Sequence, residues 1–333
     1  MTRIPYALAL VTAVLCAAPA GGLEPQTIEL RAGRYWEPVK SPTTAPVSDP
    51  AIDRAAEILE TGNPAAAKSL VLGWIKRQPR DAALRDRALF LLGVANFKVG
   101  ERVESYYNFD ELMDLYPESR YFYAALERQY DIADAYLNGY KNKFLGMPIL
   151  GAQDEAIEML FRIQQRSPGS PLAEKALRRT GDYYYANADY DLAADAYQVL
   201  IKDYSRSPEI PQVKLKRAFA QLAQFKGTKF DPTPVINART ALEEIQNDYP
   251  ELARQENVAA IIERIDSAVA RKHNQTAAFY TKTNQPKSAA LYYQYVIKNF
   301  PNAPEAATAR AELARLPQWA QQTAATQPSA AAR

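Results

Sequence analysis

Six stretches between residues 51 and 316 end in the same way, and that recurrence limits the possible folds more than any other feature of the chain. Apolar residues recur there at helical spacing in blocks closed by QPRD around Pro79, YPES around Pro117, SPGS around Pro168, DYPE around Pro250 and FPNA around Pro301. A sixth closer, DYSRSP, places Ser205 where the others place proline. Successive closers stand 37 to 51 residues apart, a period that marks stacked helical units. Proline cannot donate into a continuing helix, so each closer predicts a helix end.

Counting back from the closers sharpens the pattern. Twelve residues upstream stands a small residue every time: Ala67, Ser105, Ala156, Ala193, Ala238 and Ala289. Eight upstream stands a large one (Val71, Phe109, Leu160, Tyr197, Leu242, Tyr293), and five upstream another (Trp74, Leu112, Ile163, Leu200, Ile245, Val296). In four blocks a further small residue lies twelve places earlier still: Ala55, Gly93, Gly181 and Ala277. Such spacing predicts helical hairpins, with the small residue letting the first helix approach and the large ones filling the groove to the next hairpin. The pattern is that of tetratricopeptide repeats, most openly in Thr180–Tyr204 (TGDYYYANADYDLAADAYQVLIKDY). The expected fold class is all-α, a tetratricopeptide-repeat α-solenoid of five to six helical hairpins, with N-terminal repeats over 51–205 and C-terminal repeats over 206–316. Two blocks are stretched by Lys141–Gln153 and Phe225–Val235, whose apolar residues beside Gly and Pro predict ordered loops.

The two ends read differently. Residues 1–20 carry Arg3, an apolar run from Ile4 to Leu15 and the small-x-small site Ala18-Pro19-Ala20, which together form a secretory signal. Cleavage after Ala20 is expected; the alternative is lipidation of Cys16, although bulky Leu15 precedes it where a lipoprotein signal peptidase wants a small residue. Residues 21–50 hold five prolines and predict an extended tether, with Trp36 either packing on the first helix pair or serving as a short binding motif. Residues 317–333 are of low complexity and predict a disordered tail.

Composition removes most enzyme classes. One Cys and one His leave no disulfide framework, Cys/His zinc site or Ser–His–Asp triad unless His273 alone serves. Thirteen glycines against twenty-three prolines argue against phosphate-binding glycine loops. Basic and acidic residues, 40 and 38, nearly cancel, which disfavours nucleic acid as partner. Asp131 and Asp134, or Asp189 and Asp191, read as helix-end and solvent-facing acids rather than catalytic pairs. His273, after Arg271 and Lys272 near the end of the long helix, reads as a structural or exposed residue at a place where a cation complements the helix dipole. No cofactor or metal is expected.

The second half resembles the BamD family of outer-membrane β-barrel assembly proteins. The resemblance rests on Lys229-Phe230-Asp231-Pro232-Thr233, Ala238-Arg239, Ala241-Leu242 and Asp248-Tyr249-Pro250. It continues through a bridging helix from about Glu251 to Lys272, then Ala278-Phe279-Tyr280, Ala289-Ala290 and Asn299-Phe300-Pro301-Asn302-Ala303-Pro304. It implies a periplasmic scaffold at the outer membrane whose N-terminal repeats bind unfolded β-barrel substrates and whose C-terminal repeats hold the periplasmic domains of the outer-membrane insertase.

Extrapolating the repeat register, the inner face of the first helices should carry Arg87, Phe90, Phe97, Tyr130, Asp134, Lys175, Arg178, Asp182 and Tyr185. Rings supply contact area and guanidinium groups pair with carboxylates, so this mixture suits an extended peptide or a chain terminus. In the runs Tyr121-Phe122-Tyr123 and Tyr183-Tyr184-Tyr185, one ring of each must face the groove or solvent, since consecutive helical residues cannot share one core. The resulting expectation is a non-enzymatic adaptor that binds proteins. The alternative is a Tol-associated scaffold of cell-envelope division or peptidoglycan work, disfavoured by the absence of heptads in residues 21–50.

Overall fold

The computed structural model describes residues 28–31, 35–38, 48–144, 147–150, 152–224 and 233–323. The signal segment with Cys16 and most of the 21–50 tether lie outside them. The chain divides into two compact units, Met1–Met159 and Leu160–Arg333; the expected boundary at 205/206 falls inside the second. The fold class is all-α, of the tetratricopeptide-repeat α-solenoid type, with two small ribbons added.

The first unit opens with strands β1 (Ile28–Arg31) and β2 (Tyr35–Pro38), paired antiparallel with Leu30 opposite Trp36. Helices α1 (Pro50–Glu60), α2 (Pro64–Arg77), α3 (Arg85–Val99), α4 (Arg102–Leu115) and α5 (Phe122–Leu137) follow, each packed on the next. Strands β3 (Asn142–Phe144) and β4 (Met147–Leu150) then form an antiparallel ribbon within the first stretched connection. Helix α6 (Gln153–Arg166) carries the chain across the unit boundary. Asp49 caps α1 by accepting from the Ala51 N–H at 2.8 Å, and its other oxygen accepts from Trp74 Nε1 at 2.9 Å, which ties the start of α1 to α2.

The second unit contains α7 (Pro171–Ala186), α8 (Tyr190–Asp203), α9 (Ile210–Ala223), α10 (Thr233–Asp248), α11 (Pro250–Gln255), α12 (Val258–Lys282), α13 (Pro286–Asn299), α14 (Pro304–Arg315) and α15 (Gln318–Thr323). Its 225–232 connection lies outside the described residues.

The repeat register holds throughout. Helices α2, α4, α6, α8, α10 and α13 each end two residues before their closer. All the small and large positions counted back from the closers are buried, none more than 5% exposed. Prolines also start helices: α1, α2, α7, α9, α11, α13 and α14 each carry one in the first turn, where its missing N–H would be unpaired anyway.

Three expectations change. The large residue eight before the closer does not simply fill the groove to the next hairpin. Phe109 and Tyr197 lie across Gly93 and Gly181 of their own hairpins, so closely that a Cβ on either glycine would stand 2.5 or 2.7 Å from a ring carbon. The bridging helix does not span Glu251–Lys272. It breaks at Asn257, whose φ of 52° is left-handed, and α12 then runs on to Lys282 as the first helix of the last hairpin. Finally, the start of the 317–333 segment is ordered: α15 packs on α13, Ala320 is buried, and Gln294 donates to the Gln321 carbonyl at 2.9 Å.

Candidate protein-binding groove

The predicted groove residues fall in both units, and each set has its own surroundings. In the first unit Arg87, on α3, donates to Asp53 of α1 at 2.6 Å. Together they border a cavity of about 220 Å3 with Glu57, Glu60, Leu91 and Tyr121. Asp53 is held below the usual carboxylate range, first by the Ser48 hydroxyl and then by Arg87. Phe97, at the other end of α3, is half-buried beneath the Arg102 guanidinium, whose carbon lies 3.7 Å from the ring centre and 4.9 Å from that of Tyr140. On α5, Asp134 is half-buried and accepts from Asn138 Nδ2 at 3.0 Å.

Two of the predicted residues do not reach the surface. Phe90 is 3% exposed, stacked on Tyr121 and tilted against Phe109. Tyr130 is 7% exposed. For Phe90 the reason is geometric: α3 is covered by α2, α4, α1 and α5, so the apolar part of its surface is wider than one hairpin would bury. In the run from Tyr121 to Tyr123 only Phe122 is left partly open.

In the second unit, Lys175, Arg178, Asp182 and Tyr185 lie along α7. Arg178 pairs with Glu209 at 2.9 Å. Asp182 accepts from Lys216 Nζ at 2.6 Å and from the Tyr197 hydroxyl at 2.7 Å. Burial, then the neighbouring Asp182, raises the Tyr197 hydroxyl well above the ordinary tyrosine range. Lys175 is exposed, and Tyr185 is 37% exposed with its edge against Tyr190 at 5.4 Å. Of the predicted residues on α7, Lys175 and Tyr185 are thus exposed, and Arg178 is half-buried and ion-paired.

What sequence reasoning missed is the partner set. Asp53 with Arg87, and Asp182 with Lys216, join first helices of successive repeats across 34 residues, and Arg178 with Glu209 across 31. Lys214 with Asp248 and Arg271 with Glu305 follow the same spacing in the second unit. Opposite charges one repeat apart were the signal. Any acidic ligand on α7 therefore competes with Glu209 for Arg178, whereas the Tyr185 ring is available as it stands.

His273 has a structural role, as expected, but not at a helix end. Because α12 continues to Lys282, the residue is far from a helix end; its ring lies 4.6 Å from Tyr295 and is stacked on Tyr292. Burial, then Lys272, lowers its pKa, so it is a neutral packing residue. Among the described residues no group of three or more His, Cys, Asp or Glu is placed to hold a metal, and no helix is long and apolar enough to cross a membrane.

Comparison with known families decides the assignment. The model of the YfiO family, described as outer membrane lipoprotein, matches residues 151–330, more than half of the chain. The chain belongs to the YfiO family. The YfiO match contains Lys175, Arg178, Asp182 and Tyr185, while Arg87, Phe97 and Asp134 precede it. No curated protein matches the chain. Among solved structures, a tetratricopeptide repeat protein from Parabacteroides merdae is 12% identical, with 79% of this chain and 96% of that one covered at a TM-score of 0.37. The C-terminal part of a repeat protein from Cytophaga hutchinsonii is 16% identical, with 78% and 86% covered at 0.38.

Proposed function

We propose that the chain is a non-enzymatic scaffold at the periplasmic face of the outer membrane, BamD-like in role, that binds partner proteins and unfolded β-barrel segments during outer-membrane assembly. The observation that carries this reading is the YfiO match over residues 151–330, superimposed on helical repeats whose α7 presents an aromatic ring beside cations. Tyr185 supplies apolar area, and Arg178 and Lys175 supply charge for a carboxylate. The reading gives the protein an aromatic-ended segment as ligand and no chemistry of its own. Secretion through the signal segment belongs to the same proposal, with cleavage after Ala20 and, as the alternative, attachment through Cys16.

Replacing Arg178 and Tyr185 together by alanine is expected to weaken binding of an aromatic-ended peptide by about tenfold or more, read by titration of fluorescence anisotropy. Unchanged affinity removes the α7 site. Crosslinking in envelope membranes tests the role: recovery of an outer-membrane insertase with periplasmic repeat domains supports it, and recovery of Tol or septal proteins instead supports the envelope-division alternative.

A further inference from the structure

Helices α9, α10 and α12 enclose a second cavity, of about 260 Å3, on a different part of the second unit. Val235 and Ile265 form its buried floor, and Phe219, Leu222, Ile261 and Ala268 its half-buried walls. The one charged residue in the lining, Arg264, stands exposed at the rim. Two other charged residues of α12 are committed: Asp266 to Arg239, and Arg271, two turns further along the same face, to Glu305 at 3.1 Å. Among the described residues Arg264 makes neither an ion pair nor a hydrogen bond.

Size and lining select the occupant. An engineered apolar cavity of about 150 Å3 admits benzene, and drug-sized ligands take roughly 300–1,000 Å3. A volume of about 260 Å3 therefore fits one or two side chains rather than a cofactor. Apart from Arg264 the lining offers no side-chain hydrogen-bond group, so a tyrosine hydroxyl or indole N–H placed inside would go unpartnered. An aliphatic side chain leaves nothing unpaired. The guanidinium at the rim is complementary to a carboxylate. A groove between helices takes the apolar face of another helix, whose residues three or four apart lie side by side.

We propose that this cavity docks an acidic amphipathic helix of a partner protein, seating an aliphatic side chain between Phe219, Leu222 and Ile261 and setting a carboxylate one turn away on Arg264. The proposal is independent of the function assigned to α7, since none of its residues is shared.

The test uses the full chain and two labelled helical peptides, alanine- and glutamine-rich, each with one leucine stripe. In one, glutamates flank the stripe; in the other, glutamines replace them. The wild-type protein is expected to bind the glutamate peptide roughly fivefold more tightly, the scale of a partly exposed ion pair. Arg264→Gln should abolish that preference and leave glutamine-peptide affinity unchanged, while Leu222→Glu should weaken both. No binding of either peptide, a preference that survives Arg264→Gln, or binding that survives Leu222→Glu would each overturn the proposal. So would self-association in sedimentation that Arg264→Gln abolishes, because the cavity would then belong to a second copy of the chain. Arg264 is exposed, and its replacement is expected to leave the circular-dichroism melting curve unchanged.

Discussion

The glycines at the hairpin contacts show how much one hydrogen atom decides. In an open helix, Gly→Ala stabilises by about 1 kcal/mol. At Gly181 the new methyl would stand 2.7 Å from Tyr197, a buried ring whose hydroxyl is held by Asp182. Overpacking of this kind costs roughly 1–3 kcal/mol, so Gly181→Ala is expected to destabilise by about 1 kcal/mol net. In a Tyr197→Leu background the penalty should vanish and the alanine become neutral or stabilising. Urea unfolding of the four proteins measures it, and a destabilisation of the same size in both backgrounds would contradict the contact. The small-residue spacing was legible in the sequence. The ring lying on the glycine was not, because that contact depends on how the two helices are rotated about their axes.

At the scale of elements, the second helix of each hairpin is defined by its closer and its small residue. Ala193 is fully buried on α8, twelve residues after Gly181 of α7. Ala193→Leu is expected to cost roughly 1–3 kcal/mol through helix displacement, seen as a lower midpoint in thermal unfolding; an unchanged midpoint would mean that the register is wrong. Helix ends with prolines were readable because a missing N–H acts within one turn. The start of α12 was not, since no proline marks it and the chain turns there through the left-handed backbone of Asn257, a conformation that many asparagines never adopt. The same extension of α12 moved His273 from the expected helix end into the helix interior, as a neutral ring against Tyr292 and Tyr295.

For the whole molecule the formal charge is only +2, so the pH dependence of stability rests on a few shifted groups rather than on global repulsion. Asp49, Asp53 and Glu305 all titrate below the ordinary carboxylate range; the hydrogen bond from Trp74 holds Asp49 down, the Ser48 hydroxyl Asp53, and the Ser267 hydroxyl and Arg271 offset burial at Glu305. Their stabilisation is complete above the unfolded carboxylate values and is lost as pH falls through the depressed folded ones. His273 acts at higher pH. Its folded pKa lies below the ordinary 6.5, so the unfolded chain binds the proton more readily and stability declines as pH falls below that value. Melting midpoints from pH 7.5 to 5 should therefore drop in the wild type and drop less in His273→Phe; parallel curves would refute the assignment.

Periodicity, punctuation and small-residue spacing are properties of a single block, and by themselves they determined the all-α repeat class, the hairpin ends and every buried position of the register. Which face of α3 is covered, which charges are paired, and where an arginine is left beside an apolar cavity depend on helices a full repeat or more away. Phe90 and Tyr130 look no different in sequence from Phe97 and Tyr185. Only the packing of successive hairpins buries the first pair and leaves Phe97 half-buried and Tyr185 exposed, because burial is a property of the surface a neighbour covers and not of the residue.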